Sequence, residues 1–182
     1  VYNMNRCKIC LSDNIIPVVK NDHIIFNCKN CGTNNTKIIE TDREIYAKKM
    51  NNKIIHTTVA ALIEKDDKYL IIDRKYFPFG KSIVAGHLEL KETIKESLKR
   101  EINEETNLDI KSSTLIFNKI LPDQCKNGAH YHEWFLFKCK CDGNLILNNE
   151  SNQYIWCAKK ELNKINLLPT TRYVLEQAGI IT

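Results

Sequence analysis

An α+β fold follows from three features of this sequence. Two β-rich runs flank an acidic turn in KIIHTTVAALIEKDDKYLIIDRK, apolar residues recur at helical spacing over 93–106, and a second helical segment, TTRYVLEQAG, comes near the end of the chain. The order is mixed strands with about two helices, and there are no internal repeats.

The chain has 182 residues, 43% hydrophobic and 27% charged, which suits one well-cored domain with a small appendage. No run approaches the about 18–20 apolar residues of a membrane span. The first ten residues, VYNMNRCKIC, lack the charged-then-apolar pattern of a secretory signal. The net charge of +5 is mild. Lysines are scattered rather than gathered into a nucleic-acid-binding arm, so a phosphorylated small molecule fits as a partner at least as well as a polymer.

Residues 7–32 read CKICLSDNIIPVVKNDHIIFNCKNCG, with two Cys-x-x-Cys pairs, Cys7/Cys10 and Cys28/Cys31, separated by seventeen residues. Each pair forms a knuckle tight enough for two thiolates to reach one ion, and four thiolates complete a tetrahedral zinc site. Between them IIPVVKND and HIIFNC read as two short strands around an Asn-Asp turn. Two disulfides, or a redox-active pair, are the competing readings; a redox motif would not call for a second pair. A closed four-thiolate site has no open coordination position, so one structural Zn²⁺ is expected in a ribbon over 1–39. Cys125, Cys139, Cys141 and Cys157 show no such pairing. Cys125 with His130 and His132 is a conceivable second metal set, but lone Cys and His near strands are usually packed or surface residues. Free thiols beside zinc knuckles point to a reducing cytoplasm.

Residues 40–51, ETDREIYAKKMN, are polar with helical character and read as a connector, and 52–182 form the main domain. There the hairpin comes first. YFPFGKS then breaks regular structure, IVAG is a short strand, and the helix over 93–106 follows. STLIFNKIL and the alternating AHYHEWFLFKCK are strands, CDGN is a turn leading to LIL, and QYIWCA precedes the last helix.

The stretch GHLELKETIKESLKREINEETNL holds six glutamates. On a helix Ile94, Leu98 and Ile102 share one stripe, and Glu101 and Glu105 fall on or beside it, with Ser97 close and Glu104 on the flank. A carboxylate facing the core must be protonated, paired or bound to a cation. Two of them one turn apart suit Mg²⁺ or Mn²⁺, with Arg100 placed to hold a carboxylate by a bidentate bond. Periodicity alone leaves an exposed amphipathic helix equally open.

The spacing adds more. Gly86, Glu92, Arg100, Glu101, Ile102, Glu104, Glu105 and Leu108 resemble the Nudix box, Gly-x5-Glu-x7-Arg-Glu-apolar-x-Glu-Glu-x-Gly-apolar. Asn107 stands where the family has glycine, and asparagine is the next-best residue for a left-handed helix end. The resemblance implies an α/β/α sandwich with a mixed sheet, and hydrolysis of a nucleoside diphosphate linked to another moiety. It implies Glu101, Glu105 and Glu104 as Mg²⁺ ligands with the Ala85 carbonyl, and Glu92 and Arg100 as supporting residues. It also implies a further glutamate from a loop beyond the box: Glu150, before Trp156, is favoured over Glu133, which lies mid-strand.

A zinc ribbon ahead of such a domain resembles the NADH pyrophosphatase group, some of whose members act at the 5′ end of RNA. This implies NAD(H)-like dinucleotides or ADP-ribose as substrate, with a capped RNA 5′ end and a homodimer as compatible partners. The Ser-Gln-Pro-Trp-Pro-Phe-Pro stretch of that group is missing; the corresponding region reads STLIFNKILPDQCKNGAHYHEW. Nucleoside triphosphates and dinucleoside polyphosphates therefore stay open, as does a non-catalytic nucleotide sensor or RNA-associated module. Tyr76, Phe77 and Phe79 precede the box and are candidates to stack on a base, with rim packing the alternative.

Overall fold

The computed structural model describes residues 7, 9–20, 23–35, 45–51, 53–76, 78–123 and 129–182. The chain divides into two compact units. One comprises Val1–Thr57, Glu89–Lys91 and Ile120–Glu133; the other comprises Thr58–Leu88, Glu92–Lys119 and Trp134–Thr182.

The first unit contains the cysteine segment. Strands β1 (Ile15–Lys20) and β2 (His23–Cys28) pair antiparallel from Ile15↔Cys28 to Lys20↔His23, and β3 (Asn34–Asn35) joins β2. The two strands expected between the cysteine pairs are present. The knuckles repeat one backbone pattern. Leu11 N–H donates to Cys7 O at 2.7 Å and Gly32 N–H to Cys28 O at 2.9 Å, with φ +62° and +69° at Leu11 and Gly32. Strand β4 (Ala47–Met50) pairs with the start of β5 (Lys53–Lys65), from Ala47↔His56 to Met50↔Lys53. The helical character read into 40–51 is thus replaced by a strand in the described part. Helix-forming Ala47, Lys48 and Met50 extend because β5 offers them a ladder, which outweighs local propensity.

In the second unit β5 turns into β6 (Lys68–Arg74) through Asp66 and Asp67, both at positive φ (+49° and +59°), as a tight hairpin turn demands. Strand β7 (Gly80–Ser82) pairs with β6, so part of the segment expected to be irregular is a short strand. Strand β8 (Val84–His87) pairs with β5, and helix α1 (Ile94–Thr106) follows. Strands β9 (Asp109–Leu121), β10 (Tyr131–Asp142) and β11 (Ser151–Ala158) precede a 3-10 stretch, Lys159–Lys164, and helix α2 (Pro169–Gln177). Leu145–Leu147 forms no strand. The result is a mixed sheet with helices, ordered β11-β6-β5-β10-β9, with β4, β7 and β8 off that path. Among the described residues no helix is long and apolar enough to cross a membrane.

Helix α1 is specified at both ends. Thr93 Oγ1 accepts from Glu96 N–H at 3.2 Å while Glu96 accepts from Thr93 N–H at 2.8 Å, a reciprocal capping box. At the other end Asn107 is left-handed (φ +59°, ψ +20°), and its N–H reaches Asn103 O at 2.8 Å. Asparagine performs the turn expected of it. Leu98 and Ile102 enter the core with Val59, Ile63, Leu70 and Phe137. Burying each contributes about 1.5–3 kcal/mol, and this fixes the rotation of the helix about its axis.

Candidate active site

The rotation that buries Leu98 and Ile102 also buries Ser97, Glu101 and Glu105, leaving Glu104 exposed. Glu101 and Glu105 are 7% and 6% exposed, so the core-facing placement read from the spacing is what the fold adopts. Helix α1 packs on β8, and there Gly86 leaves room for a carboxylate. A Cβ on Gly86 would meet the Glu101 carboxyl carbon at 1.9 Å.

Arg100 ties the cluster together. Its Nε and Nη2 donate to the two oxygens of Glu92 at 2.7 and 2.9 Å, a bidentate pair. Nη1 donates to Glu101 Oε1 at 2.6 Å and lies 3.5 Å from Glu104 Oε2. Nη2 also reaches His87 O at 3.0 Å. One guanidinium therefore fixes Glu101 relative to β8 and Glu92.

Glu105 has no such partner. Burial, then the charge on Glu101, push its carboxyl up to about 8, against the opposing pull of Arg74 and the Ala85 N–H; Glu150 adds to the rise. Its Oε2 is buried without a hydrogen bond. An orphaned carboxylate oxygen beside a second carboxylate is a site for a hard cation, so the residues present fit Mg²⁺ or Mn²⁺.

Glu150 comes near for a traceable reason. The last carbonyls of α1 need donors, and the loop after β10 supplies them: Ile146 N–H to Thr106 O at 3.0 Å and Asn148 N–H to Glu105 O at 3.4 Å. Lys75 N–H holds Glu150 O at 2.7 Å, and Asn148 Oδ1 accepts from Glu150 N–H at 2.9 Å. Glu133 instead forms an ion pair with Lys48 at 2.7 Å in the first unit. Tyr76 and Phe79 are 52% and 69% exposed; Phe77 lies outside the described residues, as does Cys125. Arg74, whose charge acts on Glu105 and whose Nε is buried without a hydrogen bond, is a neighbour of these carboxylates that the sequence does not announce, since a lone arginine at a strand end carries no motif.

The second metal candidate is the cysteine cluster, whose four sulfurs lie within 4.8 Å of one another. Cys7 and Cys31 sulfurs are 3.7 Å apart, and Cys10 and Cys28 sulfurs 3.5 Å. A zinc tetrahedron with bonds of about 2.3 Å has edges of about 3.8 Å, so the thiols fit that ion.

The NUDIX domain model matches residues 54–178. The chain belongs to the Nudix family. A nucleoside triphosphatase, NudI, of Klebsiella pneumoniae (strain 342) is 28% identical over 142 residues, covering 69% of this chain and 97% of that relative. The crystal structure of the MutT Nudix hydrolase from Burkholderia pseudomallei is similar in fold, with TM-score 0.59 and 23% identity over 68% of this chain and 97% of that one. A Nudix hydrolase from Nitrosomonas europaea, with TM-score 0.55 and 18% identity, covers 95% of this chain and 89% of its own. This Nudix chain is accordingly a hydrolase of the family, whose members use divalent metal and act on nucleotides.

Proposed function

We propose that this Nudix hydrolase cleaves the phosphoanhydride of a nucleoside triphosphate, releasing a mononucleotide, with Glu101, Glu104 and Glu105 as ligands of divalent cations. The observation that carries the reading is the buried, orphaned Oε2 of Glu105 beside Glu101. Triphosphates are placed ahead of NAD(H) or ADP-ribose because the similar relative is named a nucleoside triphosphatase. The ribbon ahead of the domain keeps NAD(H)-like dinucleotides as the second reading.

When bound, Mg²⁺ or Mn²⁺ supplies charge neutralisation of the pyrophosphate oxygens and acidifies a water. The protein contributes geometry and proton transfer. Glu101 is held by Arg100, Glu105 is left free to bind, and the Ala85 carbonyl is an added ligand. Glu150, exposed and close enough to raise Glu105, takes the proton of the attacking water, whose oxygen bonds to one phosphorus as the anhydride between the α- and β-phosphates breaks in line, leaving mononucleotide and pyrophosphate. Phe79, a largely exposed ring just ahead of β7, stacks on the base. The four cysteines hold one structural Zn²⁺.

A panel of nucleoside triphosphates, NAD(H), ADP-ribose, dinucleoside polyphosphates and capped RNA, with Mg²⁺ or Mn²⁺ and products identified by mass, tests this. Mononucleotide and pyrophosphate from a triphosphate support it. Two mononucleotides from NAD(H) favour the second reading. Nucleotide binding without turnover of any compound would establish a sensor instead.

A further inference from the structure

Two unsatisfied groups of opposite charge lie beside each other in the second unit. Among the described residues, three buried side-chain nitrogen or oxygen atoms make no hydrogen bond, and two of them are Glu105 Oε2 and Arg74 Nε. The charge of Arg74 acts on Glu105, yet neither of these two atoms bonds to the other. The backbone around Arg74 is pinned on both sides. The residue ends β6, opposite Ser151 of β11 and Gly80 of β7. The next residue holds the loop glutamate, with Lys75 N–H donating to Glu150 O at 2.7 Å.

Arg100 shows what an arginine does when its task is to hold carboxylates: it closes on Glu92 at 2.7 Å and on Glu101 at 2.6 Å. Arg74 makes no such closure at Nε, and a buried donor left open costs the desolvation of that group. A guanidinium has donors in a fixed fork and no acceptor, so its complement is an anion with several oxygens. Glu105 Oε2 asks for the reverse, a cation. A diphosphate carrying a divalent cation presents both signs together, its metal to the carboxylate and its oxygens to the arginine.

We propose that Arg74 is a substrate-binding residue of this hydrolase, its Nε–H donating to a non-bridging oxygen of the substrate's diphosphate. The inference rests on the reading of the carboxylates as a metal-dependent nucleotide site. It holds for any substrate with a diphosphate, a nucleoside triphosphate and NAD(H) alike. Glu101, Glu105 and Glu150 would repel such an anion, and Arg74 sets a positive charge among them.

The test uses the full chain with Mg²⁺–pyrophosphate as probe, and calorimetry reads binding without turnover. Arg74→Gln should weaken pyrophosphate binding about 10- to 100-fold, as the loss of hydrogen bonds to a charged group does. Arg74→Lys should weaken it less, keeping the charge without the fork. Mn²⁺ affinity measured without pyrophosphate should not fall in Arg74→Gln, because the substitution removes a positive charge near the carboxylates. Equal pyrophosphate affinity in wild type and folded Arg74→Gln would overturn the proposal, and so would a matching loss of Mn²⁺ affinity. In the wild type, the ¹⁵Nε–H signal of Arg74 should shift and exchange more slowly with water at saturating Mg²⁺–pyrophosphate. An unmoved signal overturns the proposal even if the variants do not fold. Should no nucleotide be hydrolysed, the enzymatic reading fails by itself, while pyrophosphate binding still reports on Arg74.

Discussion

A β-carbon added at Gly86 would sit 1.9 Å from the carboxyl carbon of Glu101. The glycine is therefore a spatial requirement of the carboxylate, and the box's first residue exists to let its sixteenth approach the strand. Gly86→Ala is expected to cost about 1–3 kcal/mol of stability through overpacking. It should also displace Glu101 from Arg100, so hydrolysis falls more than melting temperature alone would explain. Comparing activity per folded molecule with thermal denaturation of the two proteins checks this.

Glu105 makes stability depend on pH in a definite direction. Its folded carboxyl is raised from 4.5 to about 8. Below about pH 4.5 both folded and unfolded chains hold the proton, and the folded state gives up nothing. Between there and pH 8 the unfolded chain ionises while the folded one resists, so the contribution is lost as pH rises through that window. Metal-free protein should melt lower at pH 8 than at pH 5.5 on this account, and Mg²⁺ should reverse the loss. Glu105→Gln should flatten the slope in chelator and lower hydrolysis by more than the about 10- to 100-fold typical of a supporting residue. A slope unchanged by the substitution would refute the assignment.

Arg100→Lys keeps the charge but not the fork. Lysine cannot make the paired bonds to Glu92 while also reaching Glu101 and the His87 carbonyl. Activity is expected to drop about 10- to 100-fold, with the metal dependence shifted to higher Mg²⁺. Steady-state rates across a magnesium series measure both.

Asn107 separates folding from chemistry. Asn107→Ala should cost about 1–2 kcal/mol, because alanine strains at left-handed φ, and it also loses the 3.2 Å bond from Nδ2 to Asn144 O. Asn107→Gly relieves the strain and should lie close to wild type. Both should hydrolyse substrate at the wild-type rate while folded, which urea denaturation with parallel assays will show.

Chelation should release about one zinc from the cysteines and expose the ribbon to proteolysis, since four thiolates around one ion are most of what so small a segment has for a core. Cys28→Ser should behave like chelated wild type in limited proteolysis. A ribbon that resists protease after zinc loss would contradict this.

Much of the site was legible because one helix carries it. Ile94, Leu98 and Ile102 set its phase, and Glu101 and Glu105 follow by geometry. Glu150 was legible only as a loop glutamate before Trp156; what brings it in is backbone bonding to the end of α1, which no side-chain pattern announces. Arg74 stayed hidden because a single charge at a strand end looks like any surface residue. Strand β4 was misread since its helix-forming letters yield to a partner strand.

The suspension of Ile146 and Asn148 from the last carbonyls of α1 gives the loop a ruler. Glu150 is measured off from the helix end across a few residues of chain, and the long excursion through β9 and β10 drops out of the reckoning. Homologous chains can lengthen or shorten those strands and keep the spacing of their carboxylates. One residue inserted between Asn148 and Glu150 would break that spacing while leaving every strand in place.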